Sequence, residues 1–197
     1  KIFDRIQGNK KRIVFAEGEE ERVIRAAVAF KNAGYGEPIM VAREHRLKET
    51  IERIGLEGAD DLICINAKIS DQNEDYIDNL FEKLQRNGAM RRDCQRMVNQ
   101  DRNIFAASMV DAGDADGMVT GTTRSFKSSY DHITRVISAA EGKRLMATSF
   151  VISRGTTILI GDTSIHERPD AETLADLAEN MADQARAYGH TPRVAIL

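Results

Sequence analysis

Short runs rich in valine and isoleucine alternate along this chain with longer stretches in which apolar residues recur every three or four positions. The runs suit strands buried on both faces, and the wider spacing places one apolar stripe along a helix. Repetition of that pair is the mark of βα units, so the fold class is α/β: a mostly parallel sheet flanked by helices. The first strand is expected over residues 12–16. It feeds a helix over 20–32 whose inward stripe is Val23, Ile24, Ala27 and Val28, with Gly34 as the stop. A second strand follows over 38–41, then a helix carrying Leu47, Ile51 and Ile54 and ending at Gly55, then a strand over 62–65.

Residues 70–110 read as helical almost throughout, in three stripes: Ile77, Leu80, Phe81 and Leu84; Met90, Cys94, Met97 and Val98; and Ile104, Phe105 and Met109. Asn87-Gly88 breaks the first from the second. Strands return over 117–119, 145–152 and 156–160, and Ser153-Arg154-Gly155 is short enough to join the last two as an antiparallel hairpin. A helix over 170–188 turns Leu174, Leu177, Ala178 and Met181 inward, with Gly189 beyond its end, and leads to a buried strand over 193–197. No linker or internal repeat divides the chain, so residues 1–197 are taken as one domain, with any lobe division near 70–110. The chain opens on Lys1 and stops within its last apolar run, so it is expected to be a piece of a longer protein, truncated at the C-terminus.

With 197 residues, 42% of them hydrophobic, the chain is long enough to bury a sizeable core. The formal net charge is -3 and no basic stripe runs along any segment, so nucleic acid is not expected as a partner. No apolar run approaches the roughly 20 residues that cross a bilayer, and the first residues lack a secretory signal's apolar stretch, which leads to the expectation of a cytoplasmic protein with no membrane partner. Two cysteines, Cys64 and Cys94, offer neither a disulfide framework nor a metal knuckle, and both are expected to be reduced and structural. The four histidines lack paired metal-ligand spacing, so no metal site is expected.

Two loops could carry chemistry. After the first strand comes Glu17-Gly18-Glu19-Glu20-Glu21-Arg22, at the sheet edge where open α/β folds bind ligands. Its plainer reading is acidic residues opposing the dipole of the next helix. The richer segment runs from Asp114-Ala115-Asp116-Gly117-Met118-Val119 into Thr120-Gly121-Thr122-Thr123-Arg124-Ser125. Backbone N–H groups, hydroxyls and an arginine at a strand's end suit an anionic ligand such as a phosphate. The alternative is a turn whose Thr and Ser residues cap the following helix. A calcium loop starting at Asp114 fails, because Met118, Val119 and Ser125 stand where a ligand, a glycine and a bidentate glutamate are needed. Asp162, after the hairpin, could orient an arginine, accept a thiol proton, or tie its own loop to backbone N–H groups.

Three segments together resemble the phosphate acetyl/butyryltransferase family. They are Phe15-Ala16-Glu17-Gly18-Glu19 with Arg22-Val23, Asp114-Ala115-Asp116-Gly117-Met118-Val119 with Gly121, and Asp162-Thr163 leading to Pro169-Asp170-Ala171-Glu172-Thr173-Leu174-Ala175. The closing Pro192-Arg193-Val194-Ala195-Ile196-Leu197 is similar to the family's strand before its serine- and glycine-rich loop. Within the family, Phe3-Asp4-Arg5 followed by Lys11-Arg12-Ile13-Val14-Phe15, together with Thr120-Gly121-Thr122-Thr123-Arg124, looks like the transferase-like domain of the long hybrid malic enzymes. Phosphate acetyltransferases typically have Ser-Gly where this chain has Thr120-Gly121, and an arginine-proline pair where it reads Ser128-Ser129-Tyr130-Asp131.

The resemblance implies a two-lobed fold that forms a homodimer through this domain and a larger homo-oligomer in the parent enzyme. It implies a domain that binds acetyl-CoA or acetyl phosphate, with Thr120, Gly121, Thr122, Arg124, Lys127, Asp162 and Thr163 as candidate ligand residues and no catalytic residue assigned. Arg124 and Lys127 are the candidates for CoA phosphates. NADP and a divalent metal would belong to the malate-oxidising part of such an enzyme, outside this chain, and no cofactor is expected within it. Three readings stay open: an acetyl-CoA-binding regulatory domain of an NADP-dependent malic enzyme, a phosphate acetyltransferase, and a structural oligomerisation module. Much of the transferase machinery in the family follows the strand on which this sequence stops, so no appreciable transferase activity is expected from it alone.

Overall fold

The computed structural model describes residue 6 and residues 8–196, and the chain divides into two compact units between Ser138 and Ala139. Phe3-Asp4-Arg5 and Leu197 of the expected motifs lie outside the described residues.

In the first unit, β1 (Lys11–Phe15), β2 (Gly36–Val41), β3 (Ile63–Ile65) and β4 (Gly117–Val119) form a parallel sheet in the order β3-β2-β1-β4. Phe15 lies opposite Met40 of β2 and Val119 of β4. Successive residues of a strand point to opposite faces, and here each face meets its own helical layer. Val14, Ala16, Ile39 and Val41 pack against α3 (Asn73–Leu84), α4 (Arg91–Gln100) and α5 (Arg102–Asp111). Phe15, Met40 and Ala42 pack against α1 (Glu21–Asn32) and α2 (Glu44–Ile54) through Val23, Ile24, Ala27 and Leu47. The result is a three-layer sandwich with the sheet in the middle, which is why the strands read as unbroken apolar runs.

The helix ends follow the glycines. Gly55 takes a left-handed C-cap conformation with φ 57°, and Gly34 and Gly88 have positive φ just past their elements. Residues 70–110 do not form a lobe of their own, because their three helices build one face of the first unit's core. α5 is buried from Asn103 to Met109, so it runs through the core rather than along a surface. Met90 departs from its expected inward stripe: it is the N-cap residue of α4, 54% exposed, and its N–H is taken by Asp93. Burial raises the pKa of both Cys64 and Cys94, which suits packing rather than reactivity.

The second unit holds an antiparallel hairpin, β5 (Thr148–Ser153) and β6 (Thr156–Gly161), and the helix α7 (Ala171–Ala187). Arg154 and Gly155 both have positive φ, 48° and 80°, the two-residue turn whose twist matches a hairpin. β5 begins at Thr148 rather than residue 145, and residues 190–196 form no strand. A strand needs a neighbour for its backbone groups, and among the described residues none pairs with this segment, where Val194 and Ile196 are exposed. No described helix is long and apolar enough to cross a membrane.

Candidate functional site

The strand order creates a switch point. From β1 the chain moves to β2 on one side and later returns to lay β4 on the other, so the loops leaving β1 and β4 diverge at the sheet's carboxyl edge. Open α/β sheets bind ligands at such a crevice. The loop after β1 carries Glu17-Gly18-Glu19; the loop after β4 carries residues 120–125 and enters α6 (Phe126–Ile133). Gly18 sits close to β2: a Cβ there would lie 3.0 Å from the Val41 carbonyl oxygen, so a larger residue would require β2 to give by a few tenths of an ångström.

Glu17 is buried and braces the second loop. Its carboxylate accepts N–H bonds from Thr122 at 2.6 Å and Thr123 at 2.7 Å, and a further bond from the Thr123 hydroxyl. Burial alone would raise its pKa; the bonds from the Thr123 hydroxyl and from the backbone of Thr122, Thr123 and Gly121 outweigh that and hold it lowered. This corrects two expectations. Glu17 is a strut rather than a helix-dipole partner, and the N–H groups of Thr122 and Thr123 are engaged by it instead of being offered to a phosphate.

Glu19 likewise reaches outside its own loop. It receives Arg43 in a two-toothed pair at 2.8 Å on each oxygen, with the Arg43 N–H at 3.0 Å and Arg102 at 3.4 Å. The Arg43 bond is the main reason its pKa falls to about 2, against the cost of burial and with help from the Arg102 charge. Of this loop's carboxylates, Glu21 does stand in the first turn of α1.

The remaining candidates take defined places. Thr120 donates its hydroxyl to Asn103 Oδ1 at 2.6 Å, and Asn103 donates on to Ser129 Oγ at 3.3 Å, tying the end of β4 to α5 and α6. Gly121 has φ 104°, a backbone shape that favours glycine. Ser125 is the N-cap of α6 and accepts from the Ser128 N–H, so the capping reading holds for that residue. Arg124 is bonded at 2.6 Å to Asp101, and its Nη1 also lies 3.0 Å from His132 Nδ1. Lys127, in the first turn of α6, is exposed and enters no ion pair among the described residues. Thr122 and Thr123 also line an open depression of about 520 Å³ whose other residues are Glu20, Glu21 and Arg22.

Asp162 and Thr163 belong to the second unit. The Asp162 carboxylate accepts backbone N–H groups from Ala147, Ser164, Ile165 and His166. Burial acts to raise its pKa and those bonds together lower it, which makes it a poor base for a thiol. Thr163 closes the same loop onto Ala147. The aspartates ahead of β4 are occupied too: Asp114 accepts from the Tyr76 hydroxyl at 2.6 Å, and Asp116 from Lys11 and the Arg12 N–H.

Sequence reasoning passed over Asp101, Asn103, His132, Arg43 and Arg102. A signal existed for one of them. Asp101 stands just ahead of the apolar run Ile104-Phe105 and caps α5 by accepting from the Asn103 and Ile104 N–H groups.

An open parallel α/β unit with a glycine-bearing, carboxylate-braced switch point defines the class: a doubly covered parallel α/β fold, of the kind whose ligand crevices commonly lie at the sheet's carboxyl edge. All of residues 1–197 match the family described as "Phosphate acetyl/butaryl transferase", and the chain belongs to that family. It is 43% identical over 198 residues, all of this chain, to the NADP-dependent malic enzyme of Rhizobium meliloti, covering 26% of that protein. It is 30% identical to the phosphate acetyltransferase of Haemophilus influenzae, over 95% of this chain and 26% of that one. A phosphotransacetylase structure from Streptococcus pyogenes superposes with a TM-score of 0.90 at 28% identity, over all of this chain and 60% of that one. EutD phosphotransacetylase from Staphylococcus aureus gives 0.87 at 26%, over 96% and 57%. The chain thus spans about a quarter of the length of these curated relatives.

Proposed function

We propose that this is the phosphate-acetyltransferase-like domain of an NADP-dependent malic enzyme, and that it binds acetyl-CoA as a regulator without turning it over. The observation that carries the reading is the braced loop of residues 120–127. Glu17 fixes its backbone, and the loop carries Arg124, paired with Asp101, and the exposed Lys127 on either side of the start of α6, whose dipole favours an anion there. A braced loop backbone suits the phosphates of a CoA ester, because little loop ordering is needed on binding. The 43% identity to a malic enzyme supports the parent. NADP and a divalent metal would be held by the rest of that protein.

Regulation requires acetyl-CoA to bind two states of the oligomer with unequal affinity. A homodimer formed through this domain is part of the reading, and light scattering on the full-length protein tests it. The phosphotransacetylase likeness supports the runner-up, a transferase, in which CoA thiolate attacks acetyl phosphate. Against it stands Asp162, whose lowered pKa and four N–H bonds leave no ready base among the candidate residues. Calorimetric titration of acetyl-CoA into the full-length protein, its Arg124→Ala variant and its Lys127→Ala variant tests the proposal. Binding that weakens in both variants, with no release of CoA in the presence of phosphate, is expected. CoA release at catalytic rates would establish the transferase instead, and absence of binding would leave a structural module.

A further inference from the structure

Asp101, Arg124 and His132 meet in a way that one atom cannot satisfy. His132 Nδ1 lies 3.0 Å from Arg124 Nη1 and 3.1 Å from Asp101 Oδ2. An imidazole nitrogen is either an acceptor or a donor. With its lone pair free, Nδ1 accepts from Arg124 but faces the Asp101 oxygen without a proton between them. With a proton on it, Nδ1 donates to Asp101 but faces the guanidinium donor. The two oxygens of Asp101 are also divided: Oδ1 caps α5 through the Asn103 and Ile104 N–H groups, so Oδ2 is the oxygen that Arg124, at 2.6 Å, and His132 both face. The side chains of Asp101 and His132 are 16% and 23% exposed, so the competition is only partly screened by water.

We infer that Asp101 and His132 are positioning residues for Arg124: neutral His132 helps Asp101 hold the guanidinium in place, and protonated His132 takes over Asp101 Oδ2 and releases Arg124 to an anionic ligand. The inference rests on the proposed role of Arg124 in binding CoA phosphates and names how that site is regulated. The charged groups around His132 are few. Asp101 faces it from the N-cap of α5 and Arg124 from the loop before α6. Arg102, next on α5, is turned to Glu19. On α6 and just beyond it, Lys127, Asp131 and Arg135 are exposed and form no ion pair with His132 among the described residues. Releasing Arg124 leaves the loop backbone in place, since Glu17 holds that independently.

The test is calorimetric affinity for acetyl-CoA at about pH 8 and about pH 6, spanning the range in which imidazoles ordinarily titrate. The full-length protein is compared with its His132→Gln and Asp101→Asn variants. The ligand's own phosphate titrates in that range, so the ratio is read against His132→Gln, in which that contribution persists. The wild type should bind at least about 5-fold tighter at the lower pH, beyond the change seen in His132→Gln. Asp101→Asn keeps a capping oxygen for α5 and removes the contested charge, so its affinity at about pH 8 should already be raised by a similar factor. Binding with the same pH ratio in wild type and His132→Gln overturns the positioning role and leaves the acetyl-CoA reading intact. If no form binds acetyl-CoA, that reading fails and NMR of the Arg124 guanidinium decides the rest. Its signal should change between about pH 8 and about pH 6 in the wild type and not in His132→Gln, and the same behaviour in both overturns the coupling.

Discussion

The two units treat their apolar residues in opposite ways. In the first, the central strands β1 and β2 are sandwiched, and α5 is buried along most of its length, so most of the apolar pattern is consumed by the unit's own core. In the second, the hairpin leaves Phe150, Val151, Ile152, Ile158 and Ile160 exposed, while α7 buries only Thr173 and Leu177. The same valine- and isoleucine-rich composition therefore carries different weight. It supplies the stability of one unit and contributes little that is internal to the other. Cooperative unfolding is expected of the first unit, with the hairpin following or preceding it at low cost.

The sharpest break of that comparison is Phe105→Ala. The ring is 1% exposed and stands edge-on to Tyr76 at 5.5 Å, so its loss should cost about 3–5 kcal/mol, read as a shift of the urea midpoint. Glu17→Gln comes next. It removes the charge that holds the Thr122 and Thr123 N–H groups, for about 2 kcal/mol, and amide exchange at those two residues should accelerate before the rest of the first unit.

A pH prediction accompanies it. Glu19 has a folded pKa lowered from 4.5 to about 2. The stability it supplies is complete above its unfolded value and is lost as pH falls from 4.5 toward 2. Glu19→Gln should therefore be less stable than wild type near neutrality, and the gap should close over that acid window. A gap that stays constant would show that the Arg43 pair contributes nothing through ionisation.

In the second unit the effects shrink. Asp170→Ala removes the N-cap that accepts from the Thr173 N–H and should cost about 1 kcal/mol, visible as lost helix signal in circular dichroism. Ile152→Thr, at a residue 75% exposed in β5, should change stability by less than about 0.5 kcal/mol. A loss of 2 kcal/mol or more there would mean that the hairpin face is covered, and the contrast between the units would need redrawing.

Much of the fold was open to a reader of the sequence because its signals are local. The stop at Gly55, the turn at Arg154-Gly155 and the cap at Asp170 each depend on φ preferences or hydrogen bonds within a few residues. The inward stripe of α1 follows from helical spacing alone. The misplacements share a cause. Met90 and the expected strand over 193–197 are apolar by pattern, yet pattern states only that a residue is suited to burial, and a neighbour must be present to bury it.

The chain by itself determined the alternation of strands and helices, the parallel sheet, the glycine at the edge of β1 and the polar loop after β4. Only the tertiary structure decided what those loops do. Glu17 meets Thr122 and Thr123 across 105 and 106 residues, and the contest between Arg124 and His132 for Asp101 joins a loop, a cap and a helix that no spacing rule connects. The reason is physical. Hydrophobic periodicity fixes which face of an element turns inward, whereas a carboxylate's pKa and partners depend on which charges and N–H groups the strand order β3-β2-β1-β4 sets beside it.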